Sequence, residues 1–340
     1  MKETFLLGTY TKRLSKGIYS IDLNTETKTL ENLQCIAQTE NPTYLTNDKN
    51  YLFAVTKNDT NGGLIVYQEE QDNYKKIATL FQETKVPCYI AYNPLNQSIL
   101  TANYHDATTS LYHFNQEHIT LLDRVKELAS SVHPNQSQSH LHFANYTPNK
   151  KFIISCDLGG DHLLTFKLTN ENHLALTHTY TSLPGAGPRH IVFHPHLNIA
   201  YLICELSATI EVLDFNSITG EFQRITSIAM FNSTEQAQKW ASAIKLSQDG
   251  KFLYTSNRGT DVIVVFAINQ ATGNLTKIQT IATEGRTARD FTLNQDECFL
   301  IVGHQDSDNL SLFERNSNTG LLTLLEKDIF APEVICLIHK

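Results

Sequence analysis

"PRHIVFHPHLNIAYLICELSATIEVLDF", residues Pro188 to Phe215, holds three short apolar runs separated by turn residues. The first run ends at a His-Pro pair, the second at Cys204 and Glu205, and the third mixes β-branched and aromatic residues. Runs of this length and composition, bounded by Pro, Asn and Ser, read as strands joined by tight turns. Two charges sit oddly in this frame. Arg189 opens one apolar run and Glu205 closes the next, and a charge in such a place needs a partner or a purpose.

The pattern recurs along the chain. The first two runs return as "PTYLTNDKNYLFAVTKN" (Pro42–Asn58), "PCYIAYNPLNQSILTANYH" (Pro87–His105) and "LHFANYTPNKKFIISCDLG" (Leu141–Gly159). They return again as "ASAIKLSQDGKFLYTSNRG" (Ala241–Gly259) and "ARDFTLNQDECFLIVGHQD" (Ala288–Asp306). The third run appears seven times, beginning at Gly17, Gly63, Ser110, His162, Thr209, Val262 and Asn309, at intervals of 46 to 53 residues. That is the period of a four-stranded propeller blade. No long stretch of helical period competes. "LLDRVKELASS" (121–131) and "STEQAQKWASA" (233–243) are expected at most as short helical excursions in loops. The seventh unit is split: "PEVICLI" from Pro332 is a first strand lacking its second, and "ETFLLGTYT" from Glu3 is a second strand lacking its first. The expected fold is a single all-β domain over 1–340, a seven-bladed β-propeller closed by pairing of the N- and C-terminal strands. Closure removes the unpaired edges of an open array.

Composition narrows the function. The 340 residues are 41% apolar and 18% charged, with a formal net charge of −8 and no Lys/Arg-rich run. Nucleic acid and membrane are therefore not expected as partners. The apolar part of "MKETFLLGTYTK" is too short for a signal peptide, and no run has the length of a membrane span. The six cysteines are far apart and form no CxxC pair, which points to free thiols in a reducing cytoplasm.

Register locates the odd residues. In each first strand, the position after the leading residue is Thr43, Cys88, His142, Arg189, Ser242, Arg289 or Glu333. The innermost strand of a blade lines the central channel, so these residues form one ring. The second strands end at Asn103 and Tyr104, Asp157, Glu205, Asn257 and Arg258, and His304 and Gln305. Because the two strands run antiparallel, both layers open on one face. His142, Arg189, Glu205, Arg258 and Arg289 should thus converge at one channel mouth, with Asn103, Tyr104, Asn257 and Gln305 beside them as substrate-binding candidates. Three guanidiniums against one carboxylate suit an anionic ligand. The pairs His140/His142 and His194/His196 have metal-like spacing, but no acidic cluster accompanies them, and neither metal nor cofactor is expected. There is no G-x-S-x-G elbow. The irregular stretch "KELASSVHPNQSQSH" (126–140) leads into His142 and is expected to form a lip over the mouth.

"GAGPRHIVFHP", "CELSATIEVLDF", "LSQDGKFLYTSNRG" and "ARDFTLNQDECFLIVGHQDSDNLSLF" resemble the lactonase family of seven-bladed propellers. The resemblance runs the length of the chain, with "DLGGD" (157–161) and Cys204 departing from the family's pattern. It implies hydrolysis of a small anionic sugar lactone, 6-phosphogluconolactone to 6-phosphogluconate in the pentose phosphate pathway, by a monomer or weak homodimer. It places the catalytic residues at His142, Arg189, Glu205 and Arg258. A lactone needs a positioned water, a base and positive charge near the oxyanion. Glu205 is the first candidate for the base and His142 for the proton shuttle, although an arginine partner lowers a carboxylate's basicity. Arg189 or Arg258 would serve the oxyanion and Arg289 the phosphate. Two other readings stay open: a muconate-cyclase-like enzyme on the same site, and a non-catalytic binding platform.

Overall fold

Middle strands such as Ile199–Cys204 are apolar at every position and buried at every position, whereas outer strands such as Leu275–Ala282 alternate between partly buried and exposed after a buried first residue. The difference follows from position: a central strand is covered on both faces by neighbouring sheets, and an outermost strand is not. The computed structural model describes all residues except Asp72, Ser233, Thr234 and Gln236. Its strands run in chain order from β1 (Lys2–Thr9) to β28 (Val334–His339) and form seven four-stranded antiparallel sheets. Six sheets use consecutive strands, giving blades 1 to 6 over residues 45–83, 89–126, 141–181, 188–229, 241–282 and 288–330. The seventh has the order β28-β1-β2-β3, with β2 at Gly17–Asn24 and β3 at Thr29–Gln38. The chain is a seven-bladed β-propeller, closed as expected: Phe5, Leu6 and Leu7 pair with His339, Ile338 and Leu337.

No helix forms among the described residues, and none is long and apolar enough to cross a membrane. "LLDRVKELASS" instead enters the outermost strand of blade 2, His118–Lys126, because its Leu122 and Val125 pack on the core between blades 2 and 3. The other expected excursion, 233–243, lies partly outside the described residues; its described part is irregular until blade 5 begins at Ala241.

The blades are keyed together by a repeated turn. In "NSITG", "NQATG" and "NSNTG" the Asn side chain accepts hydrogen bonds from the backbone two and three residues on, as Asn316 does from Asn318 and Thr319. The closing Gly220, Gly273 and Gly320 are left-handed, with φ of 86°, 73° and 73°. Each packs on the preceding blade, where a Cβ on Gly320 would come within 2.3 Å of the Phe252 ring. Tyr201 and Tyr254 donate across the same junctions to the carbonyls of Gly273 and Gly320, each at 2.8 Å.

Candidate active site at the channel mouth

Two backbone devices aim side chains into the mouth. The first is a β-bulge at the start of the innermost strand. Pairing skips His142 between Leu141 and Phe143, Arg189 between Pro188 and His190, and Arg289 between Ala288 and Asp290. A bulge leaves one residue unpaired and re-aims its side chain, so the same irregularity in three blades turns an imidazole and two guanidiniums toward the axis. The second device is the pleat. In six of the seven blades the last residue of the second strand, Thr9, Asn103, Asp157, Cys204, Asn257 or His304, is fully buried. Successive side chains of a strand point to opposite faces, and the next residues, Tyr10, Tyr104, Glu205 and Arg258, line the mouth.

The mouth is a cavity of about 430 Å³. Beneath it a second space, about 30 Å³, touches Arg189, His190 and Asp290 and shares His142 and Arg289 with the first. Glu205 is the centre of the charge arrangement. Its Oε2 accepts from Arg189 Nε at 3.0 Å and its Oε1 lies 2.6 Å from Arg258 Nη2. Arg189 is 3% exposed and also donates to the Ser242 carbonyl at 2.8 Å. Burial lowers its pKa to about 10 despite the carboxylate beside it. Arg258 lies over the Trp240 ring, 5.7 Å from its centroid. Arg289 donates to Gln305 Oε1 at 2.9 Å and lies over Tyr10. Burial, then Arg189, His190, Arg289 and Arg258, push the His142 pKa well below its ordinary value, so the imidazole is neutral at pH 7. Its Nδ1 is buried with no hydrogen-bond partner among the described residues. Cys88, also on the wall, is held as a thiol, its pKa pushed up to about 11 by burial.

The structure therefore brings His142, Glu205, Arg258, Arg289 and Tyr104 onto one cavity, with Arg189 directly beneath and Gln305 behind Arg289. Asn103 and Asn257, expected beside the substrate, are turned away by the pleat. Asn103 donates to the Lys85 carbonyl and to Asp106, and Asn257 Oδ1 accepts from Gly259 and Thr260. Glu333 is also absent from the ring: its carboxylate accepts the backbone N–H groups of Lys12, Arg13, Leu14 and Ser15. The 126–140 stretch walls an adjoining hollow and reaches the mouth through His140, whose ring stacks 4.0 Å from that of Tyr104. His194 and His196 serve a turn at the other end of the strand, where His194 Nδ1 accepts from His196 and Leu197.

Sequence reasoning missed Tyr10, Lys12, Lys85 and Trp240, which also line the cavity. Tyr10 was within reach, since it follows Thr9 as Glu205 follows Cys204. Lys12, Lys85 and Trp240 lie in loops with no fixed place in the repeat. With the lysines included, four cations and one carboxylate line the mouth, and Arg189 and Asp290 lie beneath it.

The family model described as "Lactonase, 7-bladed beta-propeller" matches residues 4–339. A 6-phosphogluconolactonase of Bacillus subtilis is 37% identical over 292 residues, covering 84% of this chain and 83% of the relative. The crystal structure of a protein from Lactobacillus plantarum superposes with a TM-score of 0.96 at 37% identity over the whole of both chains. The periplasmic gluconolactonase of Pseudomonas aeruginosa superposes with a TM-score of 0.93 at 26% identity, over 100% of this chain and 99% of that one.

Proposed function

The chain belongs to the lactonase family of seven-bladed β-propellers, and from that premise we propose that it hydrolyses a phosphorylated sugar lactone, 6-phosphogluconolactone to 6-phosphogluconate. The observation that carries the reading is the cationic mouth: Glu205 clamped between Arg189 and Arg258, a neutral His142 beside them, and Lys12, Lys85 and Arg289 on the wall. A neutral lactone needs no such excess, while a phosphate with close to two negative charges does.

The geometry favours His142 over Glu205 as the base. Both Glu205 oxygens are already held by guanidinium N–H groups, so its role is to position the arginines. His142 lines the cavity, and no side chain holds its Nδ1 among the described residues. It takes a proton from water as the water oxygen attacks the lactone carbonyl. The C=O electrons move onto oxygen, and the resulting oxyanion is stabilised by Arg258. Collapse breaks the bond to the ring oxygen, which receives the proton from the His142 imidazolium, and the new carboxylic acid ionises. A depressed pKa makes the imidazolium a strong proton donor for this second step. Arg189, deeper and bound to Glu205 and Ser242, acts through Glu205. Arg289, Lys12 and Lys85 grip the phosphate.

The reading carries a cytoplasmic setting in the pentose phosphate pathway, supported by six cysteines that are all free. The test is hydrolysis of 6-phosphogluconolactone and of unphosphorylated gluconolactone, followed by proton release. A kcat/KM at least about tenfold higher for the phosphorylated lactone, the worth of one charge-assisted contact, is expected. Equal values would assign the protein to unphosphorylated lactones, the substrate in the name of the Pseudomonas relative. No hydrolysis of either would overturn the proposal.

A further inference from the structure

We infer that a second site, for a divalent transition-metal ion of the zinc class, is formed by Glu127, Asp157 and His162 where blades 2 and 3 meet. Glu127 follows the outermost strand of blade 2. Asp157 ends one strand of blade 3 and His162, paired directly opposite, begins the next. One ligand atom from each residue lies within 4.8 Å of the others, and His162 Nδ1 is 3.8 Å from Glu127 Oε1. Neither the histidine pairs noted in the sequence nor the channel mouth contributes to this group.

Two of its ligand atoms lack a hydrogen bond. Asp157 Oδ2 and His162 Nδ1 are buried and have no hydrogen-bond partner among the described residues. Asp157 is fully buried, and its other oxygen accepts from the backbone of His140 and Gly159, which fixes the carboxylate in place. An unpaired buried carboxylate oxygen is costly and calls for an explanation. Among the described residues none of the three pairs with a lysine or arginine, and the contact of His162 with Glu127 is an ion pair only with the imidazole protonated. A dication answers both deficits at once.

The donor set selects the ion. One imidazole with two carboxylates suits zinc and its neighbours, whereas calcium and magnesium prefer oxygen alone. With metal–ligand bonds of about 2.0–2.2 Å in a tetrahedral shell, ligand atoms stand about 3.3–3.6 Å apart, so the group must contract by up to about 1.5 Å. Water can complete the shell, because the Glu127 and His162 side chains are 23% and 24% exposed. The role is structural. Asp157 holds the backbone of His140, so the ion ties together the two ends of the loop that leads to His142.

The experiment uses the full chain, stripped with chelator and titrated with zinc chloride by calorimetry. One equivalent is expected to bind, and zinc at a hundredfold excess over Kd should raise Tm by roughly 3 °C. Glu127→Gln and His162→Gln should each weaken binding about ten- to a hundredfold, while His196→Gln should leave it unchanged. The metal-free Glu127→Gln protein should melt no lower than metal-free wild type, since the substitution relieves carboxylate repulsion; this separates loss of the ion from loss of the fold. No zinc uptake, or uptake unaltered in both ligand variants, would overturn the inference.

Discussion

Glu205→Gln tests the charge arrangement most directly. The carboxylate is 4% exposed and bridges Arg189 at 3.0 Å and Arg258 at 2.6 Å. Glutamine keeps the shape and one acceptor oxygen but removes the anion that bridges Arg189 and Arg258. Removing one partner of a buried ion pair costs about 3–5 kcal/mol. Arg258 is 15% exposed and can recruit water, which places the expected loss near the lower end, about 3 kcal/mol. For a chain of this size that is a fall in Tm of roughly 4 °C. With the oxyanion donor no longer held, kcat should fall about 10²–10³-fold. The KM for the phosphorylated lactone should hold or fall, because the mouth has become more positive. The pH profile then separates the roles. If His142 is the base, its acid limb survives the substitution and moves to lower pH, since a nearby negative charge has gone. If Glu205 were the base, that limb would vanish. Glu205→Leu combined with Arg189→Met should recover most of the Tm and none of the activity. An unchanged Tm with an unchanged kcat would refute the reasoning altogether.

Other outcomes follow from the same geometry. Arg289→Ala should raise KM about ten- to a hundredfold for the phosphorylated lactone with kcat little changed, whereas Arg258→Ala should lower kcat for both lactones; Michaelis parameters on the two substrates check this. His142→Ala should lower kcat about 10²–10⁴-fold. Because the neutral imidazole is the active form and its pKa is depressed, wild-type activity should persist below pH 6.5, and Arg289→Ala, which removes one cause of the depression, should move the acid limb upward in a pH–rate profile. Gly320→Ala, forced to φ 73° with its Cβ 2.3 Å from Phe252, should cost about 2–4 kcal/mol in denaturant unfolding. Gly185→Ala meets only Val132 at 3.3 Å and should cost about 1 kcal/mol.

The blade count and its closure were legible because propeller strands repeat at a fixed interval and each carries its own turn chemistry. "PEVICLI" and "ETFLLGTYT" announced their pairing by each lacking a partner within its own unit. The helical excursion over 121–131 was misread because an outermost strand carries mixed polarity. In "LLDRVKELASS" one face meets the core and the other meets water, so residues spaced three apart happened to be apolar. Nothing local distinguishes that from a short amphipathic helix until the strand finds its neighbour, Thr108–Asn115.

The site was legible in its height along the channel and illegible in its direction. Counting from turns places Asn103 and Tyr104 at one level, as it does Asn257 and Arg258, and treats each pair as a unit. The pleat divides them: the first of each pair is fully buried between blades and the second faces the mouth. An alternation rule applied to the second strands would have separated these pairs and added Tyr10 to the wall. The first strands defeat that rule, because a bulge at His142, Arg189 and Arg289 inserts one unpaired residue and reverses the alternation where the charges lie. A one-residue shift exchanges the faces of a strand, so without its bulge Arg189 would not be directed to Glu205. Of the two charges that looked misplaced in Pro188–Phe215, Glu205 is therefore the product of the pleat and Arg189 of one backbone irregularity. Straightening it, by deleting a residue in that strand start, should cost the Arg189–Glu205 pair while leaving the apolar faces downstream in register with Ile203 and Leu202.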